Sequence, residues 1–167
     1  MLGPNERKVI NDKVHLMGDY ISDFPYHPKR CGDFKCFPME INLSKCVLIF
    51  CEEADDEVQA HVVRACQVAS EQLLRKSLSS SAAGGEAVSL VKIFWNLKPN
   101  PVSESVRAAI HLPLDGRLHM IMLDLPDDCA YYVATTDESS SQTVRDEISS
   151  DDIVRFCKNP GVRRKLV

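Results

Sequence analysis

Lys45-Cys46-Val47-Leu48-Ile49-Phe50-Cys51-Glu52-Glu53-Ala54-Asp55-Asp56-Glu57 decides the fold of this chain. Its first half is continuously apolar instead of alternating, the pattern of a strand covered on both faces, and charge follows at once. A central strand is therefore expected over Cys46–Cys51. Asp55 is placed to cap the next segment, and Asp56 and Glu57 complement the positive end of a helix. Val58, Val62, Ala65, Ala69 and Leu73 then return every three or four residues until Arg75-Lys76 meets the negative end. A buried strand followed by an amphipathic helix opens a βαβ unit and implies the α/β class.

Downstream, the four serines and Gly84-Gly85 between Ser77 and Ala87 offer no apolar face, so a mobile loop is expected there. Val88 to Trp95 reads as a second strand, ended by Asn96 and the turn material Pro99-Asn100-Pro101. Strand, helix and strand in this order suggest a parallel, right-handed crossover. Ser103 is read as the cap of a short helix reaching Ile110 and stopping near Pro113. Leu118–Leu123 and Ala130–Ala134 are read as strands. Pro126-Asp127-Asp128 is too short for a parallel crossover, so these two strands should form an antiparallel hairpin. Ser150 is read as the cap of a last helix that turns Ile153, Val154, Phe156 and Cys157 inward, with Asn159-Pro160-Gly161 ending it. The order is βαβ, helix, ββα, and a central mixed sheet of about four to five strands flanked by helices is expected.

Upstream of the first strand, Phe24-Pro25-Tyr26-His27-Pro28-Lys29 carries two prolines three apart, which fix two φ angles and bias Phe24 and His27 away from helix. A stiff connector over 24–36 follows, with a short piece at 1–23 that is too small to bury a core alone, a domain at 37–160 and a basic tail at 161–167. The chain has 167 residues, 44% of them hydrophobic and 26% charged, and a formal net charge of −4, which suits a soluble domain with one core. Apart from Arg163-Arg164-Lys165 the basic residues are dispersed, so no stripe neutralises phosphates and nucleic acid is not an expected partner. No apolar run is long enough to span a membrane and the amino terminus lacks a signal peptide's apolar stretch, so a cytosolic or nuclear location is expected.

The seven cysteines are odd in number and include no CxxC, so neither a disulfide framework nor a zinc ribbon is signalled. Cys46 and Cys51 bracket the central apolar run and Cys66 falls on the helix, where a thiol acts as a small hydrophobe. Cys31 and Cys36 are the one local pair able to cross-link. With His27 they make three zinc donors, but no fourth is evident, and no metal or other cofactor is expected. The histidines make no triad: His61 lies on the main helix, His111 at a helix end and His119 in a strand. Trp95, Tyr131 and Tyr132 read as packing residues within strands.

The connector Phe24–Lys29, the strand Val47-Leu48-Ile49-Phe50 before an acidic loop, the strand ending Met120-Ile121-Met122-Leu123-Asp124 and the closing stretch from Glu147-Ile148 to Arg155-Phe156 together resemble the carboxy-terminal thioredoxin-like domain of the nucleoredoxin family. The resemblance covers nearly the whole chain. Leu2-Gly3-Pro4-Asn5 with Lys8-Val9-Ile10-Asn11 is similar to the end of the family's preceding, catalytic thioredoxin domain. On that reading Val9, Val14, Leu16 and Ile21 lack their sheet, and an unpaired amino-terminal segment is a route to self-association.

The resemblance implies a parent that is a protein-disulfide reductase acting on client proteins, in a family that also binds Wnt-pathway signalling proteins of the dishevelled type. An active thioredoxin domain needs two cysteines, two residues apart, at the start of the helix after the central strand, where amide dipoles favour the thiolate. Glu52-Glu53-Ala54-Asp55-Asp56-Glu57 stands there instead, and on the direct reading Gly116-Arg117 stands where the family carries a cis proline, with Pro113 farther upstream as the alternative if a short gap is allowed. A non-catalytic interaction or scaffold domain is therefore expected, with no catalytic residue and with Glu52, Glu53, Asp55 and Asp56 as candidate binding residues for a basic surface. The same four residues also suit a solvated helix start. The alternative is a thiol-disulfide oxidoreductase in its own right using Cys31 and Cys36, with His27 assisting thiolate formation.

Overall fold

In the computed structural model of the chain, the described residues are 31–34, 40–82, 91–134 and 147–166, all within a unit spanning Cys31–Val167. The readings of 1–30, including the Phe24–Lys29 connector, His27 and the unpaired amino-terminal segment, fall outside the described residues, as does Cys36. The elements are β1 (Cys31–Asp33), α1 (Glu40–Leu43), β2 (Cys46–Phe50), α2 (Asp56–Ala82), β3 (Lys92–Asn96), α3 (Pro101–Ile110), β4 (His119–Asp124), β5 (Ala130–Val133), α4 (Ser150–Lys158) and β6 (Arg164–Lys165). The class is α/β, with one mixed sheet of six strands in the order β1-β3-β2-β4-β5-β6.

Every residue of β2 is buried because the strand has a core on each side. Side chains alternate across a strand, so Val47 and Ile49 point to one layer and Cys46, Leu48 and Phe50 to the other. The first layer packs Val47, Ile49 and Ile93 with Val62, Cys66 and Ala69 of α2 and Ile153, Val154 and Phe156 of α4. The second packs Leu48, Phe50 and Phe94 with Phe34, Ile41 and, from α3, Val106 and Ile110. Each fully buried aliphatic or aromatic side chain of this kind contributes about 1.5–3 kcal/mol. A double-sided core explains why the strand reads as an unbroken apolar run.

β2 and β3 pair in parallel, with Val47 opposite Ile93 and Ile49 opposite Trp95, as the expected crossover requires. β4 runs antiparallel to β2, Leu48 opposite Ile121, and β5 antiparallel to β4, Met122 opposite Tyr132, which makes the expected hairpin. Where β2 begins, Lys45 Nζ meets Asp124 Oδ2 at 2.8 Å and ties the two strand ends together.

Four expectations need correction. The sheet has six strands, not four or five: Cys31–Asp33, within the stretch read as the connector 24–36, pairs in parallel with β3, and Arg164–Lys165, within the stretch read as a basic tail, pairs with β5. Backbone pairing holds the latter, joined by Leu166 N–H on the Cys129 carbonyl at 3.0 Å, and exposed ion pairs accompany it, Arg163 3.3 Å from Asp127 and Lys165 2.9 Å from Asp128. α2 continues to Ala82 instead of ending near Lys76. Extending a formed helix adds one hydrogen bond per residue fixed, and serine costs little beside glycine or proline; the rest of the stretch read as a loop, 83–87, and the first three residues of the expected second strand, 88–90, lie outside the described residues. α3 is capped by Asn100, not Ser103, with Pro101 in its first turn and Ser103 as the reciprocal partner of a capping box. α4 is capped by Ser149, not Ser150, with Asp152 in the reciprocal role.

Candidate functional site

The acidic stretch follows the carboxyl end of β2 and leads into α2. The chain leaves β2 as Cys51 N–H donates to the Asn96 carbonyl at 3.1 Å, and a turn closes with Ala54 N–H on the Cys51 carbonyl at 3.2 Å. Gln59, one turn into α2, bridges the ends of two strands by donating to the carbonyls of Cys51 at 2.8 Å and Leu97 at 3.0 Å. Asp55 Oδ1 accepts from Val58 N–H at 2.9 Å and caps α2.

Glu52 does not face solvent. Its side chain is 2% exposed and pairs with Arg107, 10% exposed, through Nη2 to Oε2 at 2.7 Å and Nε to Oε1 at 3.2 Å. Asn96 Nδ2 donates to the same Oε1 at 2.7 Å, and Asn96 Oδ1 in turn accepts from Asn100 Nδ2 at 2.7 Å. The Arg107 guanidinium lies over the Phe50 ring, 4.5 Å from its centroid, and its Nη1 donates to the Pro113 carbonyl at 2.6 Å. The fork geometry suits bidentate pairing, and it occupies the carboxylate from both sides. Glu53 reaches the α3–β4 loop, where its Oε2 accepts the Gly116 N–H at 2.6 Å. Of the four candidate binding carboxylates, Glu52 is spent inside the fold, Glu53 and Asp55 hold backbone amides, and Asp56 is exposed in the first turn of α2.

The reading of the sequence missed Arg107 as a partner of Glu52. Its signal was nonetheless present: Ser103, Val106 and Ile110 mark the buried stripe of α3, and Arg107 stands in that stripe. A guanidinium on a core-facing position calls for a buried anion. Which anion could not be read from spacing, because Glu52 is brought to it by tertiary structure alone.

The thiols are distributed as core residues. Cys46, Cys51 and Cys66 are buried. Burial, then the charges of Glu52 and Asp33, push the Cys51 thiol up to about 12, and its Sγ sits 3.4 Å from the Asn96 carbonyl as a donor. Burial pushes Cys157 up to about 12 as well, and burial followed by the neighbouring Cys31, Cys51 and Cys157 pushes Cys66 up. Cys31 is half-buried in β1, against the first core layer. Cys129 is exposed in the β4–β5 turn. The thiolate is the reactive form, and burial and neighbouring negative charge keep Cys51 protonated at neutral pH. Brief maleimide treatment of the folded chain at neutral pH, followed by peptide mapping, is therefore expected to modify Cys129 and to leave Cys51 and Cys66 unmodified until the chain is unfolded.

His119 Nε2 lies 2.8 Å from Asp115 Oδ1. The hydrogen bond from His119, assisted by the Arg117 amide and by positive charge, holds the Asp115 carboxyl below its usual range. A carboxylate depressed in the folded state stabilises above its unfolded pKa and loses that contribution as pH falls through its folded value. Substituting His119→Ala should thus move the acid unfolding transition, followed by Trp95 fluorescence, to slightly higher pH, an effect that high salt reduces because Asp115 is solvent-exposed.

His111 caps the end of α3 and His61 lies on α2, in agreement with their reading. Among the described residues no three His, Cys, Asp or Glu side chains converge as a metal-ligand set, and no helix is long and apolar enough to cross a membrane. No protein-family model and no curated protein matches the chain.

Proposed function

We propose that the chain is a non-catalytic, thioredoxin-like interaction or scaffold domain of a nucleoredoxin-like protein-disulfide reductase, working in the cytosol or nucleus. One observation carries the reading. The turn between β2 and α2, where a thioredoxin-type enzyme needs its reactive pair, carries a buried carboxylate locked to Arg107, and the adjacent thiol, Cys51, is buried and pushed up to about 12. Such a thiol is a poor nucleophile and has no second sulfur two residues on. The run β2-α2-β3-α3-β4-β5-α4, with β2 in the interior of a mixed sheet that also gains β1 and β6, is compatible with the thioredoxin-like assignment.

The partners this reading implies are protein clients of the parent reductase and, through the family resemblance, signalling proteins of the dishevelled type. Electrostatic capture of a basic partner falls to the outward carboxylates Glu53, Asp55 and Asp56, because Glu52 is withdrawn.

The deciding experiment is insulin reduction by the whole chain beside a Cys31→Ser, Cys36→Ser variant. Both are expected to show only the background rate with dithiothreitol. Turnover by the parent chain that disappears in the variant overturns the proposal in favour of an oxidoreductase built on Cys31 and Cys36.

A further inference from the structure

We infer that residues 112–116 form a hinged strap that seals the Glu52–Arg107 pair from water and opens locally, without unfolding of the sheet. Both ends of the segment are left-handed: His111, the α3 cap, has φ 54° and ψ 40°, and Gly116 has φ +73°. Glycine takes this conformation at no steric cost, and a helix commonly ends in a residue of this kind. Between the two hinges the chain is neither helix nor strand, and Leu114 is 60% exposed. Leu112 alone of its apolar residues packs against the second core layer.

Leu112 N–H donates to the Arg107 carbonyl at 2.9 Å and ties the near end of the strap to α3, and three further contacts fasten the rest of it. Arg107 Nη1 holds the Pro113 carbonyl at 2.6 Å, on a side chain that Glu52 itself immobilises. Glu53, exposed and on a different connection, holds the Gly116 N–H at 2.6 Å. His119 holds Asp115 at 2.8 Å across the Gly116 hinge. Segments with little buried apolar surface and solvent-exposed hydrogen bonds are those that open below the global unfolding free energy. The Glu53 contact is therefore the latch. Its release frees the far end of the strap, lifts Pro113 from the guanidinium and lets water reach a pair now 2% and 10% exposed.

Amide exchange followed by mass spectrometry on the full chain, comparing the parent with Glu53→Gln and Glu53→Ala, tests the inference. Loss of a charge-assisted hydrogen bond should accelerate exchange in the peptide covering 112–117 by about tenfold in Glu53→Ala, with Glu53→Gln in between. Exchange in β2 and β4 and the melting temperature should stay as in the parent. Adding His119→Ala to Glu53→Ala should accelerate the same peptide further. Unchanged exchange at 112–117 overturns the strap. So does acceleration that spreads equally to β2 and β4, since the contact would then stabilise the whole domain instead of latching one segment.

Discussion

Substituting Arg107→Ala is expected to destabilise the domain by about 3–5 kcal/mol, the cost of leaving a buried charge without its partner. That is a large share of the ~5–15 kcal/mol that holds a typical domain together. Three losses coincide: the two-pronged contact to Glu52, the stacking over Phe50 and the bond to the Pro113 carbonyl. The Glu52 carboxylate stays behind, with Asn96 Nδ2 at 2.7 Å as its remaining side-chain donor. Urea titration measures the loss, and the double variant Glu52→Gln, Arg107→Met separates its origins. Removing both charges at similar volume is expected to recover much of the stability, because the pair's net worth is far smaller than the penalty for breaking it. A loss under about 1 kcal/mol for Arg107→Ala would mean that water already reaches Glu52.

A loss of similar size, about 3–5 kcal/mol, is expected for Phe94→Ala, from a different cause. Phe94 is 0% exposed on β3, the strand that lies between β1 and β2. Its ring centroid is 6.3 Å from that of Phe34, and Leu48, Phe50 and Ile121 belong to the same layer. Truncation removes apolar contact and leaves a cavity that a layer anchored by backbone pairing on both sides cannot collapse to fill. The urea midpoint should fall with the slope unchanged, since the surface exposed on unfolding hardly changes. Val162→Ala, at a side chain whose residue is 77% exposed, is the control and should stay within about 0.5 kcal/mol of the parent.

Elements whose burial imposes a period could be read from the residues. Val47, Leu48, Ile49 and Phe50 announced a strand covered on both sides, and Val62, Ala65 and Ala69 announced the helix face that covers one of them. The hairpin of β4 and β5 followed from connection length. What could not be read was whatever depends on a partner distant in the chain. β1 and β6 are three and two residues long, too short for a pattern, and exist because β3 and β5 supply their hydrogen bonds. Caps were misplaced by three residues at Ser103 and by one at Ser150 because nearby side chains able to cap, Asn100 and Ser103 in one case and Ser149 and Ser150 in the other, compete for the same role, and backbone geometry chooses between them. The acidic stretch falls between β2 and α2, as its reading placed it, but its members looked equivalent. Only the fold distinguishes Glu52, drawn inward to Arg107, from Asp56, left outside.

The Glu52–Arg107 ion pair also bears on how this tip could change by mutation. A thiol introduced at position 52 alone strands a guanidinium in the interior, while loss of Arg107 alone strands a carboxylate. Each single step is penalised, although the two together are tolerable. Any lineage moving between this charge-locked tip and a sulfur-bearing one must therefore cross a valley of weakened intermediates. The coupling works as an epistatic ratchet, favouring whichever state is already in place.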